Sequence, residues 1–149
     1  MNGKVLAITA LITGLIVFSG CLGGGSGGAT GPSQYATELE GTWVFTVTDT
    51  NFTYTSTWVF SDTNWTRTDV QTTDQTWAWN GTFSLNSAAT PRTIDMLCAG
   101  SPDSTDIGLT ALGIYALSAS ATSCTLSVAD FGDTVRPSDF NGAIVLTKQ

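Results

Sequence analysis

Apolar and polar residues alternate along most of the chain from residue 38 onward, and a period of two predicts β-strands. At 41–49, for example, Trp43, Phe45 and Val47 would share one face of a strand, with threonines on the other. Eight stretches have this character, and turn signals separate them at 49–51, 61–64, 72–74, 86–91, 99–108, 118–123 and 131–141. The pattern predicts an all-β fold, a single antiparallel up-and-down β-barrel of about eight strands, with a β-sandwich as the alternative.

The beginning of the chain has a different pattern. Residues 5–18 form an apolar run that fits a signal peptide and is short for a membrane-spanning helix, which needs about 20 residues. Ser19 and Gly20 then precede Cys21, an order that resembles the lipobox of bacterial lipoproteins, with Phe18 in place of the usual aliphatic residue. The resemblance implies cleavage before Cys21 and acylation of its sulfur. An ordinary secretory signal peptide is the alternative.

This pattern divides the chain into three parts. We predict a lipoprotein signal peptide at 1–20, a lipidated cysteine with a Gly/Ser-rich tether at 21–37, and one β-barrel domain at 38–149. The predicted location is the cell envelope outside the cytoplasm, where acylated Cys21 would anchor the protein to a lipid bilayer. Because Leu22 is not the aspartate that typically retains such proteins at a Gram-negative inner membrane, the outer membrane is expected in a Gram-negative host.

Composition and charge exclude several classes of function. The formal net charge is −7, with five basic residues and no basic cluster, so nucleic acid is not an expected partner. The chain contains no histidine, which removes the commonest general base and metal ligand. No carboxylate cluster has calcium-loop spacing, and the glycine-rich stretch lacks the lysine of a phosphate loop. We therefore expect no enzyme activity, no cofactor and no metal site.

Several segments resemble the lipocalins and, more specifically, a small bacterial lipocalin-like domain family of no established activity. They are "LEGTW" at 39–43, "GTFSLNSAATPRTIDM" at 81–96, "LGIYALS" at 112–118, "RPSDF" at 136–140 and "AIVLTK" at 143–148. The resemblance implies the barrel fold. It also implies structural roles, in which Trp43 closes one end of the barrel beneath Lys148, and Gly41 allows a tight approach beside Trp43.

A stripe of aromatic residues, with one arginine, marks the candidate ligand site. The predicted lining residues are Phe45, Tyr54, Trp58, Trp65, Arg67, Trp77, Trp79 and Tyr115. The rings would either fill a solid core or surround a cavity for a small apolar or amphipathic ligand. Arg67 shares a face with Asp69. The arginine either pairs with this carboxylate at the barrel mouth or holds the acidic head of the ligand.

Cys98 and Cys124 leave two alternatives open. An even pair of cysteines in an exported domain favours a disulfide. The predicted strand order disfavours one, because a whole strand would separate the two thiols.

Together these patterns predict a non-enzymatic, membrane-anchored envelope lipoprotein whose barrel binds a small ligand. The alternative function is a structural or interaction module with a solid core and no ligand. A void of about 300 Å³ or more inside the barrel would favour the ligand-binding function.

Overall fold

The computed structural model describes residues 38–72 and 75–149. Within these ranges the chain forms eight strands and one short 3-10 helix. They are β1 (Gly41–Thr48), β2 (Thr53–Ser61), β3 (Asn64–Gln71), β4 (Gln75–Asn86), β5 (Arg92–Gly100), the 3-10 helix (Ser104–Asp106), β6 (Thr110–Leu117), β7 (Ser123–Val128) and β8 (Ile144–Lys148).

The strands close into one antiparallel barrel in sequence order. Each strand pairs with its neighbours in the chain, and β1 also pairs with β8, where Trp43 lies opposite Lys148 and Val44 opposite Thr147. This last pairing leaves no free sheet edge. The predicted up-and-down barrel is confirmed, and the alternative β-sandwich is wrong.

Because the strands alternate in direction, the barrel has two distinct ends. The mouth is defined by the connections 49–52, 101–109 and 129–143. The closed end is defined by the entering segment 38–40, the turns that precede β3, β5 and β7, and the C-terminal residue Gln149. The height of a residue between these ends decides which neighbours it has inside the barrel.

The predicted alternation is what builds the core. Large apolar side chains point inward from every strand and pack together, whereas threonines cover much of the outer surface of β1 to β4. The largest fully buried side chains include Trp43, Phe60, Trp65, Ile94, Met96, Tyr115, Leu126 and Leu146. Two buried residues are polar or charged, Ser56 and Asp69, and both lie in the half of the barrel nearer the mouth.

Cys98 and Cys124 are both free, buried thiols. The backbone N–H of Cys98 donates to the carbonyl of Leu109, just before the mouth end of β6. Cys124 lies opposite Leu117, the last residue of β6 at the closed end. The length of β6 therefore separates them by roughly 25 Å, at about 3.3 Å per residue. Of the two alternatives, the structure has the one without a disulfide.

The predicted signal peptide, Cys21 and the tether at 21–37 lie outside the described residues. Among the residues that the structure does describe, no helix is long and apolar enough to cross a membrane.

Candidate functional site

The closed end is sealed by the indole of Trp43. This side chain is fully buried, and its Nε1 donates to the carbonyl of Leu39 at 2.6 Å. Lys148 lies outside it, with Nζ 5.2 Å from the ring centroid, a distance suited to a cation–π interaction. Gly41 has φ +121°, and a Cβ there would lie 3.0 Å from Cε of Lys148. The positive φ favours glycine at this position, and the missing Cβ leaves room for the lysine side chain over the indole.

A second group of contacts at the closed end holds the entering segment. The Tyr115 hydroxyl donates to one carboxylate oxygen of Glu38, and Arg92 Nη1 donates to the other at 2.9 Å. We call Glu38, Arg92 and Tyr115 the closed-end triad. Burial and the hydrogen bond to Glu38 raise the pKa of Tyr115. Tyr115, a predicted lining residue, does not line the cavity described below, because its position near the end of β6 buries it at the closed end.

The interior towards the mouth contains a cavity of about 540 Å³. Its wall consists of Trp58, Trp65, Arg67, Trp79, Met96, Asp106, Ala111, Leu126, Ser127, Val128, Ala129, Asp130, Phe131, Asn141, Gly142 and Ile144. The inner part of this wall is buried and largely apolar, and the outer part consists of exposed loop residues, so the cavity opens at the mouth. Its volume lies within the range of about 300–1,000 Å³ that is common for small-molecule sites.

Stacked rings form much of the inner wall. Trp65 is fully buried and stacks on Trp58 with centroids 6.1 Å apart, and on Phe131 at 6.2 Å. The Trp65 Nε1 donates to the carbonyls of Thr82 (3.2 Å) and Leu97 (3.3 Å), so its one polar atom is bound within the barrel wall.

Gly81 makes this close packing possible. It lies at an irregularity in the β4–β5 register, where a Cβ would come within 1.8 Å of the Leu97 carbonyl oxygen. The same Cβ would lie 3.0 Å from Nε1 of Trp65. A side chain at this position would force the backbone at Leu97 to move and would press on the ring of Trp65.

Arg67 lies between two indoles on one side of the cavity. Its Cζ is 5.1 Å from the ring centroid of Trp58 and 4.7 Å from that of Trp79. Its Nε donates to Asp69 Oδ1 at 2.9 Å, and Nη2 donates to Asp69 Oδ2 at 2.5 Å. Nη2 also donates to the Tyr54 hydroxyl at 3.0 Å. We call Tyr54, Arg67 and Asp69 the mouth triad.

Asp69 is the centre of this network. It is only 2% exposed and also accepts hydrogen bonds from the hydroxyls of Tyr54 (2.5 Å) and Ser56 (2.6 Å). Ser56 accepts in turn from Trp58 Nε1 at 2.9 Å. Burial lowers the pKa of the Arg67 guanidinium, but the hydrogen bonds to Asp69 and Tyr54 outweigh it and raise this pKa above its ordinary value. The arginine stays charged, and a buried carboxylate balances its charge.

The structure brings four of the eight predicted lining residues to the cavity: Trp58, Trp65, Arg67 and Trp79. Tyr54 lies behind the cavity wall as a partner of Arg67, and Phe45 packs against the core. Trp77, half-buried, lies opposite Asp69 and does not line the cavity.

Sequence reasoning missed the part of the wall that comes from connections between strands. Phe131, Asn141 and Gly142 belong to the β7–β8 connection. Asp106 and Asp130 also line the cavity, and the Asp106 carboxylate accepts from the Ser101 hydroxyl at 2.8 Å. One signal was present in the sequence, because a large aromatic residue such as Phe131 is unusual in a segment read as a solvated loop.

Within residues 38–72 and 75–149, no group of three or more His, Cys, Asp or Glu side chains is placed to hold a metal ion. Comparisons of the chain with protein-family models, curated proteins and solved structures found no match. The cavity is therefore interpreted from its own geometry and chemistry.

Proposed function

We propose that this protein is a non-enzymatic, lipid-anchored protein of the cell envelope whose barrel binds a small apolar or amphipathic ligand. The cavity of about 540 Å³ beside Trp58, Trp65 and Trp79 is the observation that carries the binding part of this proposal. A solid interior would have favoured the alternative, a structural module without a ligand. The volume exceeds about 300 Å³, the lower end of the range for small-molecule sites, and this supports the ligand-binding function.

The lining supports binding through apolar contact. Trp58, Trp65, Met96, Ala111 and Leu126 form the buried, apolar part of that lining. Most of the binding free energy would then come from apolar surface removed from water, at roughly 25 cal/mol per Å². The rigid rings of Trp58 and Trp65 are already stacked and would lose little freedom on binding.

The chemistry of the same wall supports a non-catalytic role. The chain has no histidine to act as a base at neutral pH. The most ordered polar group at the cavity, the mouth triad, uses its hydrogen bonds internally. A catalytic carboxylate needs access to the substrate, whereas Asp69 is buried among its own donors.

The envelope part of the proposal rests on the sequence before residue 38, where an apolar run, two small residues, Cys21 and a glycine-rich stretch follow in order. Replacing Cys21 by Ser should release the protein from the membrane fraction into the soluble fraction. A Cys21→Ser variant that still fractionates with membranes would contradict the lipid anchor.

Mass spectrometry of small molecules extracted from the full chain, purified from its host, tests ligand binding. The matched variants are Ala111→Leu, which fills the cavity, and Ala116→Leu, which makes the same change at an exposed position of β6. We expect a co-purified molecule in the native protein and in Ala116→Leu, reduced by about tenfold in Ala111→Leu. A clean extract from the native protein, with no change in its tryptophan fluorescence on titration with small amphiphiles, would favour the structural module.

A further inference from the structure

We infer that the ligand of the cavity is an organic cation, an apolar body that carries an amine or a similar positive group, rather than an anion. This inference rests on the proposed binding function. It replaces the expectation that Arg67 holds the acidic head of the ligand. The inference is argued from the charges of the residues around the cavity.

The first step is the charge balance of the cavity wall. Arg67 is the single basic residue among the described lining residues, and Asp69 already balances its charge through two hydrogen bonds. An anion at Arg67 would have to compete with a carboxylate that is pre-positioned at no further entropic cost. Asp106 and Asp130 line the outer part of the cavity, and Asp130 is exposed. The wall therefore has a surplus of negative charge.

The second step is the field at the mouth. The three connections that define the mouth contain six aspartates: Asp49, Asp103, Asp106, Asp130, Asp133 and Asp139. Their one basic residue, Arg136, donates to the carbonyls of Ile94 (3.0 Å) and Gly113 (2.6 Å) and pairs with Asp95 on the barrel wall. Lys148 and Arg92 belong to the closed end. An entrance of this charge attracts cations and repels anions.

The third step is the chemistry of the rings. Indole faces attract cations, and Trp58 and Trp79 already hold the guanidinium of Arg67 at 5.1 and 4.7 Å. This contact places a positive group next to aromatic surface in the same wall. A ligand with its apolar body against Trp65 and Phe131 can place its charged end towards Asp106 or Asp130. For an anionic end, Arg67 is the single basic partner among the described lining residues, and two of its nitrogens already donate to Asp69.

Three probes of nearly equal shape test the inference on the purified full chain: 2-phenylethylamine, 2-phenylethanol and 3-phenylpropionate. Titration calorimetry at pH 7 and low salt should give the amine an affinity at least about tenfold higher than the carboxylate, with the alcohol between them. High salt should narrow the difference, because it screens charges at an open mouth.

Two variants locate the effect. The double variant Asp106→Asn/Asp130→Asn should weaken the amine by about tenfold and leave the alcohol nearly unchanged. Asp62→Asn removes the same kind of charge at the closed end, and asparagine tolerates the positive φ of 54° at that position. We expect this control to bind all three probes as the native protein does.

The outcomes separate the inference from the proposed function. If the carboxylate binds as tightly as the amine or more tightly, the inference is wrong and the binding function stands. The same holds if the double variant leaves the preference for the amine unchanged. If none of the three probes binds and no molecule co-purifies with the protein, the proposed function fails, and the inference fails with it.

Discussion

Each end of the barrel holds a tyrosine, a carboxylate and an arginine in mutual contact, yet the two triads differ in burial and in what they join. In the mouth triad the Asp69 side chain is 3% exposed and that of Arg67 32%. In the closed-end triad the values are 24% for Glu38 and 42% for Arg92. The carboxylate and the arginine are therefore more buried at the mouth than at the closed end, where Tyr115 is the fully buried member.

The triads also connect different parts of the chain. Tyr54, Arg67 and Asp69 come from the paired strands β2 and β3 and shape the cavity wall. Glu38 comes from the segment before β1, and its partners lie on β5 and β6. A carboxylate at the mouth thus fixes the charge next to the cavity, whereas the one at the closed end attaches the entering segment to the barrel.

Removing one carboxylate at a time should give the largest difference between the two ends. Asp69→Asn leaves the guanidinium of Arg67 buried beside the indoles without its counter-charge, and we expect it to lower the free energy of unfolding by about 2–3 kcal/mol. The expected decrease is smaller than the one usual for breaking a fully buried ion pair, because solvent reaches part of the Arg67 side chain. Glu38→Gln, the matched change at the more exposed triad, should lower it by about 1 kcal/mol or less.

Urea denaturation measures the free energy of unfolding of both variants. Equal losses in the two variants would show that burial does not distinguish the triads. Binding gives a second measurement, because Asp69→Asn releases the charge of Arg67 towards the cavity. The affinity for 3-phenylpropionate should then rise, while Glu38→Gln leaves it unchanged.

The next prediction concerns alkaline pH at the closed end. Burial and the nearby charge of Glu38 raise the pKa of the Cys124 thiol from 9.0 to about 12. Between these values the folded protein keeps a proton that the unfolded chain loses. The contribution of this thiol to the free energy of unfolding is therefore fully present below about pH 9. It decreases as the pH rises, by up to about 1.4 kcal/mol per pH unit. The raised pKa of Tyr115 acts in the same direction at higher pH.

Urea denaturation at several pH values between 8 and 11 checks this slope. Cys124→Ala should reduce the slope, because the titrating thiol is gone. Cys98→Ala is the matched control at the mouth end of β5, and it should retain most of the slope. An unchanged slope in Cys124→Ala would exclude this thiol as the cause.

The smallest predicted effect concerns the cation–π contact between Lys148 and Trp43, in which no carboxylate takes part. Lys148→Met keeps the apolar part of the side chain over Trp43 and removes the charge. We expect a loss of about 0.5–1 kcal/mol in the free energy of unfolding, with recovery in Lys148→Arg. Thermal or urea denaturation can resolve this difference. A Lys148→Met variant as stable as the native protein would mean that the lysine contributes only packing.

Residue alternation predicted the strands and the shared face of Trp65, Arg67 and Asp69, but it left both a barrel and a sandwich open, and the resemblance to lipocalins favoured the barrel. The alternation could not predict how far along the barrel axis each residue lies, because a period of two shows only which face of the sheet a side chain is on. Tyr115 was assigned to the ligand site for this reason, although its place beside the predicted turn at 118–123 put it at the closed end. Height needs the register of neighbouring strands, which the sequence specifies only through its turns.

The loop part of the cavity could not be predicted for a different reason. Connections such as 129–143 have no repeating pattern from which the direction of a side chain follows. Phe131 reaches Trp65 and Asp130 reaches the cavity wall because the chain after β7 continues beside β6, where Ala129 and Gly132 donate to the carbonyls of Leu112 and Thr110. The preference for a cationic ligand that we infer depends on these residues, and it could therefore not be predicted from the sequence.

The attachment of Glu38 at the closed end has a mechanical consequence. Tension on the chain before residue 38 would first load the contacts of Glu38 with Tyr115 and Arg92, and then the bond from Trp43 to Leu39. Beyond them, β1 runs away from the pulling direction, and its hydrogen bonds to β2 lie across that direction along eight residue pairs. These bonds would be sheared together rather than opened one at a time. A barrel held by this end resists a pull along its axis, and the cavity lies at the far end, which carries no load.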